Sequence, residues 1–161
     1  MRVCQVCGAR FKGTPKTCPL DGGNLVDLPD PLVGRSVGGR YHVLEKIGAG
    51  GMGSVYRARH EVVGRDVAIK FLAPELASDP TSRQRFLREA RAANRIHHEN
   101  IIEVHDFGET DDGLVYLVME YLDGRSLAHL IARGPMPVRR ALGIAAQIAG
   151  ALARAHELDV I

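Results

Sequence analysis

The spacing of apolar and polar residues divides the chain into stretches that predict strands and stretches that predict helices. A period of two runs through Val43, Glu45 and Ile47 and is repeated at 55–58 and 67–72, which predicts three strands. The segment 61–66 contains the glycine of a hairpin turn, so the second and third strands are expected to be antiparallel neighbours. Two more strands are predicted near 102–107 and 114–119.

A helical period replaces the strand period beyond residue 80. The range 82–96 places Phe86, Ala90 and Ala93 on one helical face, after a start signal at 79–81. A short helix is predicted at 126–132, before Gly134, and a long alanine-rich helix is predicted at about 138–157. Strands and helices mixed in this way predict an α+β fold.

Composition and charge describe an ordinary globular protein. Of the 161 residues, 45% are hydrophobic and 25% are charged, which excludes a disordered chain or a fibre. The formal net charge of +2 is too small to argue for nucleic acid, so no nucleic acid partner is expected. The first residues show no secretory signal, which makes the cytoplasm the expected location. The apolar run 141–153 is too short to span a bilayer, so no membrane segment is expected.

A connector with two prolines and a glycine, residues 28–34, separates a small segment from the rest of the chain. The 3 cysteines all lie before this connector, within the first 18 residues. A change of composition across such a connector is typical of a domain boundary. We therefore expect a small module at 1–28, a linker at 29–39 and a larger domain at 40–161.

The cysteine segment predicts a metal site. Cys4-x-x-Cys7 and the turn after Cys18 are knuckle-like and resemble half of a zinc ribbon. Asp21 stands where a fourth cysteine would be, and a carboxylate can complete a tetrahedral site. A segment of this size has too small a core to fold unaided, which favours Zn²⁺ on Cys4, Cys7, Cys18 and Asp21 over three idle thiols. A disulfide is disfavoured by the odd number of cysteines and by a reducing compartment.

A glycine-rich segment is the first candidate for ligand chemistry in the larger domain. Gly48-x-Gly50-x-x-Gly53 lets backbone N–H groups approach phosphate oxygens without an intervening Cβ. A dinucleotide-binding turn is excluded, since it needs a helix next and an acidic residue about 20 positions on, where Lys70 falls instead. A Walker-type loop is excluded because Gly53 is followed by Ser54 rather than by lysine. The glycine motif alone does not distinguish a phosphate-binding loop from a hairpin that binds no ligand.

The residues after the glycines make the pattern more specific. Val55 follows the last glycine, the strand Val67-Ala68-Ile69-Lys70 comes next, and Glu89 lies in the following helix. Together these features resemble the bacterial, eukaryotic-like Ser/Thr protein kinases over residues 40–161. The resemblance implies a small lobe with a five-stranded antiparallel sheet and one helix, followed by the first two helices of the large lobe. It also implies that Lys70 holds the α- and β-phosphates of ATP and pairs with Glu89.

The end of the last predicted strand resembles the kinase hinge. By that match Met119 is the gatekeeper, and backbone groups of Glu120 and Leu122 bind the adenine edge between apolar side chains. The resemblance therefore implies an ATP-binding set formed by Ile47, Gly48, Ala49, Gly50, Gly51, Met52, Gly53, Ser54, Val55, Ala68, Lys70, Met119, Glu120 and Leu122.

Two further observations bear on the kinase resemblance: one motif occurs in the wrong place, and another motif is missing. Asp106-Phe107-Gly108 spells the Mg²⁺-binding motif, but it follows the fourth strand rather than a catalytic loop, so we do not assign it to magnesium. No His-Arg-Asp segment occurs in the 161 residues. We expect the complete protein to transfer phosphate from Mg-ATP to Ser or Thr of a protein substrate, and this truncated chain to be inactive. The alternative is a non-catalytic module that binds a nucleotide or docks a partner.

Overall fold

A computed structural model describes residues 2–11, 13 and 15–160 of the chain. The chain forms two compact units, Met1–Val33 and Gly34–Ile161. The division falls inside the linker that the sequence predicts at 29–39.

The first unit is a small antiparallel sheet. Its strands are β1 (Arg2–Cys4), β2 (Arg10–Phe11) and β3 (Leu25–Asp27), in the order β2-β1-β3. Cys4, Cys18 and Leu25 are buried together, and Phe11 packs against them. The core of this unit thus consists largely of its own thiols, and these short strands show no alternation that the sequence pattern could reveal.

The second unit is built on a six-stranded antiparallel sheet. Its strands are β4 (Ser36–Val37), β5 (Tyr41–Gly50), β6 (Gly53–His60), β7 (Asp66–Leu72), β8 (Val104–Glu109) and β9 (Val115–Glu120), in the order β4-β5-β6-β7-β9-β8. The five longer strands are those that the sequence predicts. The sixth, β4, falls in the predicted linker, where it pairs with β5 and buries Val37. Two residues are too few to show a period of two.

The two edges of this sheet approach each other. The guanidinium of Arg35 donates two hydrogen bonds, of 3.0 and 3.2 Å, to the carboxylate of Asp112 in the turn between β8 and β9. The hydroxyl of Tyr41 on β5 donates to the carboxylate of Asp106 on β8, although these strands are not neighbours in the sheet. The sheet is therefore strongly curled.

In the part of the second unit that the structure describes, four helices accompany the sheet: α1 (Pro74–Ala77), α2 (Pro80–Arg95), α3 (Leu127–Ala132) and α4 (Val138–Glu157). Helix α2 begins two residues before the predicted start because the carboxylate of Asp79 caps it. Phe86 and Ala90 of α2 pack with Leu72, Val115 and Leu117 of the sheet. Within the described residues, no helix is both long and apolar enough to cross a membrane.

Candidate functional site

The glycine-rich segment is the hairpin that joins β5 to β6. Gly50 pairs with Gly53 across the hairpin, so Gly51 and Met52 form its tip. The backbone N–H of Ala73, just after β7, donates a 3.0 Å hydrogen bond to the carbonyl of Met52. This bond holds the tip of the hairpin against the end of the third long strand.

The glycines of the hairpin have different structural requirements. Gly53 has a φ of +146°, and a Cβ there would overlap the backbone oxygen of Phe71 and lie 3.0 Å from the backbone nitrogen of Ala73. The fold itself therefore requires glycine at this position. A Cβ at Gly50 or Gly51 would meet no atom within 4 Å. Among the described residues, no steric contact requires glycine at these two positions. A phosphate bound against the backbone would require it, because the phosphate would occupy the space of a Cβ.

The register of the central strands places four predicted site residues on one face of the sheet. Val55 of β6 lies opposite Lys70 of β7, and Ala68 of β7 lies opposite Met119 of β9. Directly opposed residues of antiparallel strands point to the same face, and so do residues two apart on one strand. Val55, Ala68, Lys70 and Met119 therefore share a face below the glycine hairpin.

The structure does not bring Glu89 to Lys70. The Lys70 side chain is half-buried, and its Nζ lies 5.5 Å from the centroid of the Phe86 ring. Glu89 is exposed, and no ion pair joins its carboxylate to Lys70, although both residues are described. The reason is the orientation of α2: Phe86 and Ala90 take the stripe that faces the sheet, which turns Glu89 toward solvent.

The predicted hinge follows β9 and presents open backbone groups. The backbone N–H of Glu120 donates to the carbonyl of Glu103, so this N–H is not available to a ligand. The backbone N–H of Leu122 makes no hydrogen bond in the described part of the chain. Ile47, at an irregularity of β5, is 45% exposed and Leu122 is 60% exposed. The predicted adenine site is therefore an open surface rather than a closed cavity.

Asp106 lies inside β8 rather than after the fourth strand, because this strand runs two residues further than predicted, to Glu109. Its carboxylate accepts hydrogen bonds from the guanidinium of Arg40 at 2.7 Å and from the hydroxyl of Tyr41 at 3.2 Å. This carboxylate, together with burial, raises the pKa of Tyr41 above its usual value, with burial as the larger cause. Asp106 thus stabilises the curled sheet, and its neighbours explain it without a metal.

One feature that the sequence pattern did not indicate as a site is a cavity of about 690 Å³ along α2. The arginines of α2 that line it are Arg85, Arg88, Arg91 and Arg95. Glu89 lines the same cavity. The sequence could have indicated this feature, because the four arginines recur three or four residues apart and residues with that spacing share one face of a helix.

In the first unit, the four predicted metal-ligating residues come together. One ligand atom from each of Cys4, Cys7, Cys18 and Asp21 lies within 4.8 Å of the others. The Sγ atoms of Cys7 and Cys18 are 3.7 Å apart, and Cys4 Sγ lies 3.3 Å from a carboxylate oxygen of Asp21. Around a tetrahedral zinc with bonds of about 2.3 Å, two sulfurs are separated by about 3.7 Å. These two separations match ligands around a tetrahedral ion of this size, so Cys4, Cys7, Cys18 and Asp21 are the side chains that would hold one.

The same cluster has unusual proton affinities when no ion is bound. The Asp21 carboxylate raises the pKa of the Cys7 thiol to about 12. In return the thiols, Cys7 first, and the N–H of Gly23 hold the pKa of Asp21 well below its usual range. A thiol and a carboxylate that share a proton in this way are typical of a site that a divalent cation would neutralise.

Known proteins resemble the second unit closely. Residues 41–161 match the family model described as protein kinase domain. The chain is 43% identical over 131 residues to the serine/threonine-protein kinase PrkC of Bacillus subtilis, which covers 81% of this chain and 20% of that protein. It is 42% identical over 133 residues to PknH of Mycobacterium tuberculosis, covering 82% of this chain and 21% of PknH.

The fold agrees with the sequence comparison. The crystal structure of the Mycobacterium tuberculosis PknI kinase domain matches with a TM-score of 0.63 and 39% identity, over 77% of this chain and 50% of that chain. The chain thus spans about a fifth of the curated relatives and half of a solved kinase domain. This chain belongs to the bacterial, eukaryotic-like Ser/Thr protein kinase family and contains the N-terminal part of a protein kinase domain.

Proposed function

We propose that the second unit binds Mg-ATP and is the nucleotide-holding part of a kinase that phosphorylates Ser or Thr of a protein substrate. The main support is the strand register, which gathers Val55, Ala68, Lys70 and Met119 on one face below the glycine hairpin. The relatives are serine/threonine-protein kinases, which does not favour the alternative of a non-catalytic module.

Each part of this face has a chemical role in the proposal. The open backbone at Gly50 and Gly51 would bind phosphate oxygens, and the Lys70 ammonium would neutralise the phosphates. The free N–H of Leu122 and the carbonyl of Glu120 would bind the adenine edge. Glu89 would orient Lys70, which requires α2 to turn its exposed carboxylate inward.

Phosphoryl transfer itself belongs to the complete kinase. Protein kinases use Mg²⁺ to neutralise the phosphates and a carboxylate to orient the incoming hydroxyl. Those groups lie in the catalytic loop and the following metal-binding motif, which we do not find among the 161 residues. A cytoplasmic location suits both an ATP-dependent enzyme and three reduced cysteines.

Nucleotide binding by single variants tests this proposal. We expect Lys70→Met to weaken the binding of a fluorescent ATP analogue by about tenfold or more, because it removes the cation that faces the phosphates. Lys46→Met is the matched control, since this lysine lies over the ring of Tyr56 and not on the face of Lys70. Equal loss in both variants, or loss in neither, would contradict the assignment of the face.

We also propose that the first unit holds one Zn²⁺ through Cys4, Cys7, Cys18 and Asp21. Support comes from the distances within the cluster, which match a tetrahedral ion, and from the small core of the unit. Metal analysis of the purified chain should give about one zinc per chain. Asp21→Ala should make the metal easier to remove with a chelator, whereas Asp27→Ala, a matched change outside the cluster, should not. A metal-free protein whose protease resistance does not change with chelator would overturn this site.

A further inference from the structure

The three thiols of the proposed zinc site differ sharply in their access to solvent. Cys4 and Cys18 are 2% and 3% exposed, whereas Cys7 is exposed. The two buried sulfurs each accept a backbone N–H from the residue two positions later, from Val6 at 3.3 Å and from Leu20 at 3.4 Å. Such bonds reduce the nucleophilicity of a sulfur. Small oxidants therefore reach Cys7 first.

The fold places the sulfur of Cys18 beside that of Cys7. Cys7 Sγ and Cys18 Sγ are 3.7 Å apart, while Cys4 Sγ is held by the carboxylate of Asp21 at 3.3 Å. A disulfide bond is about 2 Å long, so closing the pair Cys7–Cys18 needs a movement of about 1.7 Å. Cys7 lies in the exposed turn after β1 and outside the strands of the first unit, so the movement falls on a turn residue rather than on a strand residue.

We propose that Cys7 is an oxidation site, at which a peroxide forms a sulfenic acid that Cys18 resolves to a Cys7–Cys18 disulfide, dismantling the metal site. This inference rests on the zinc site proposed above. In the first step Cys7, which is a thiolate when it serves as a zinc ligand, attacks the peroxide, an S–O bond forms, the O–O bond breaks, and the leaving hydroxide takes up a proton to give water. In the second step Cys18 attacks the sulfenic sulfur, the S–S bond forms, and the S–O bond breaks to release a second water. Two sulfurs each lose one electron, and one peroxide gains both.

The consequence for the site follows from its ligand count. A disulfide sulfur is no longer a thiolate, so only Cys4 and Asp21 remain to hold the ion. One thiolate and one carboxylate are half of a tetrahedral set. Because the site has three cysteines rather than four, a single disulfide reduces it to one thiolate, and the bound metal is released.

The test uses the zinc-loaded chain, with hydrogen peroxide as the probe. Released zinc is followed with a chromogenic chelator, and the disulfide is located by mass spectrometry after the remaining thiols are alkylated. Cleavage after Arg10 and Lys16 leaves Cys4 and Cys7 on one peptide and Cys18 on another, so fragment ions must assign the sulfur. We expect one zinc released per Cys7–Cys18 disulfide, reversed by a dithiol reductant and added zinc.

Two variants with one thiol removed form a matched pair. Cys4→Ser keeps both sulfurs of the proposed bond, so the disulfide should still form, whereas Cys7→Ser should slow disulfide formation by at least about tenfold. In the unmodified chain, a disulfide that includes Cys4, or zinc retained while Cys7 is oxidised, would overturn the inference. A chain that carries no zinc from the start contradicts the metal site instead. The pairing is then decided by the peptide map, where Cys7–Cys18 supports the oxidation site and any other product overturns it.

Discussion

Replacing Gly53 by alanine should destabilise the second unit far more than the same change at Gly50. At Gly53 the backbone has a φ of +146°, and a Cβ overlaps the backbone oxygen of Phe71. Backbone atoms cannot rotate away, so the pairing of Gly53 with Leu72 between β6 and β7 must open. The backbone strain costs about 1–3 kcal/mol. The overlap costs a similar amount, about 1–3 kcal/mol.

These two effects are large compared with the stability of a typical domain. Together they lower the free energy of unfolding by about 2–6 kcal/mol, out of the about 5–15 kcal/mol of an ordinary domain. With a denaturant slope of about 2 kcal/mol per molar urea, the unfolding midpoint falls by about 1–3 M. Urea unfolding of both proteins, followed by circular dichroism, measures this shift directly.

Gly50→Ala is the control that separates folding from ligand binding. Its Cβ would meet no atom within 4 Å, so we expect a change of less than about 1 kcal/mol in the free energy of unfolding. Affinity for an ATP analogue should nevertheless fall, because the Cβ occupies the space through which the backbone approaches phosphate. If Gly53→Ala unfolds at the wild-type urea concentration, the close approach of β6 to Phe71 is wrong. If Gly50→Ala binds nucleotide normally, the hairpin is not a phosphate site.

Three further outcomes are expected. Asp21→Cys should raise zinc retention in a chelator competition, because a thiolate is a stronger zinc ligand than a carboxylate, and unchanged retention would exclude Asp21 as a ligand. Arg35, and then the Thr110 hydroxyl, lower the pKa of Asp112 to about 2, below its unfolded value. The resulting stability is present above about pH 4 and is lost as the pH falls toward 2. The urea midpoint of the wild-type chain should therefore fall between pH 5 and pH 3, and in Asp112→Asn this fall should be smaller. The 161-residue chain should transfer no labelled γ-phosphate to a generic basic protein under conditions in which an intact kinase does. Transfer that is lost in Asp106→Asn would contradict the structural role of that carboxylate.

The long strands of the second unit could be predicted because each buries one face and exposes the other. Alternation over six or more residues indicated β5 and β7, and hairpin glycine chemistry indicated how β6 and β7 pair. The two-residue strand β4 and the four-residue helix α1 are shorter than any period that could reveal them. The strands of the first unit were missed for the same reason, although the spacing of its cysteines was sufficient to predict which side chains meet.

The sequence predicts the face of the sheet on which Lys70 lies, but not the side chain that Lys70 contacts there. Strand alternation and register decide which face Lys70 lies on, but the rotation of α2 decides what it meets there. An ammonium over an aromatic ring, as with Phe86, is stabilised by about 0.5–2 kcal/mol, and a surface ion pair such as one with Glu89 by about 0–1 kcal/mol. The two side-chain contacts of Lys70 are therefore close in energy, and it is the burial of Phe86 and Ala90 against the sheet that keeps Glu89 turned outward. We expect the phosphates of a nucleotide at Lys70 to add a larger electrostatic effect than this difference, so Glu89 should turn inward when the nucleotide is bound and not before.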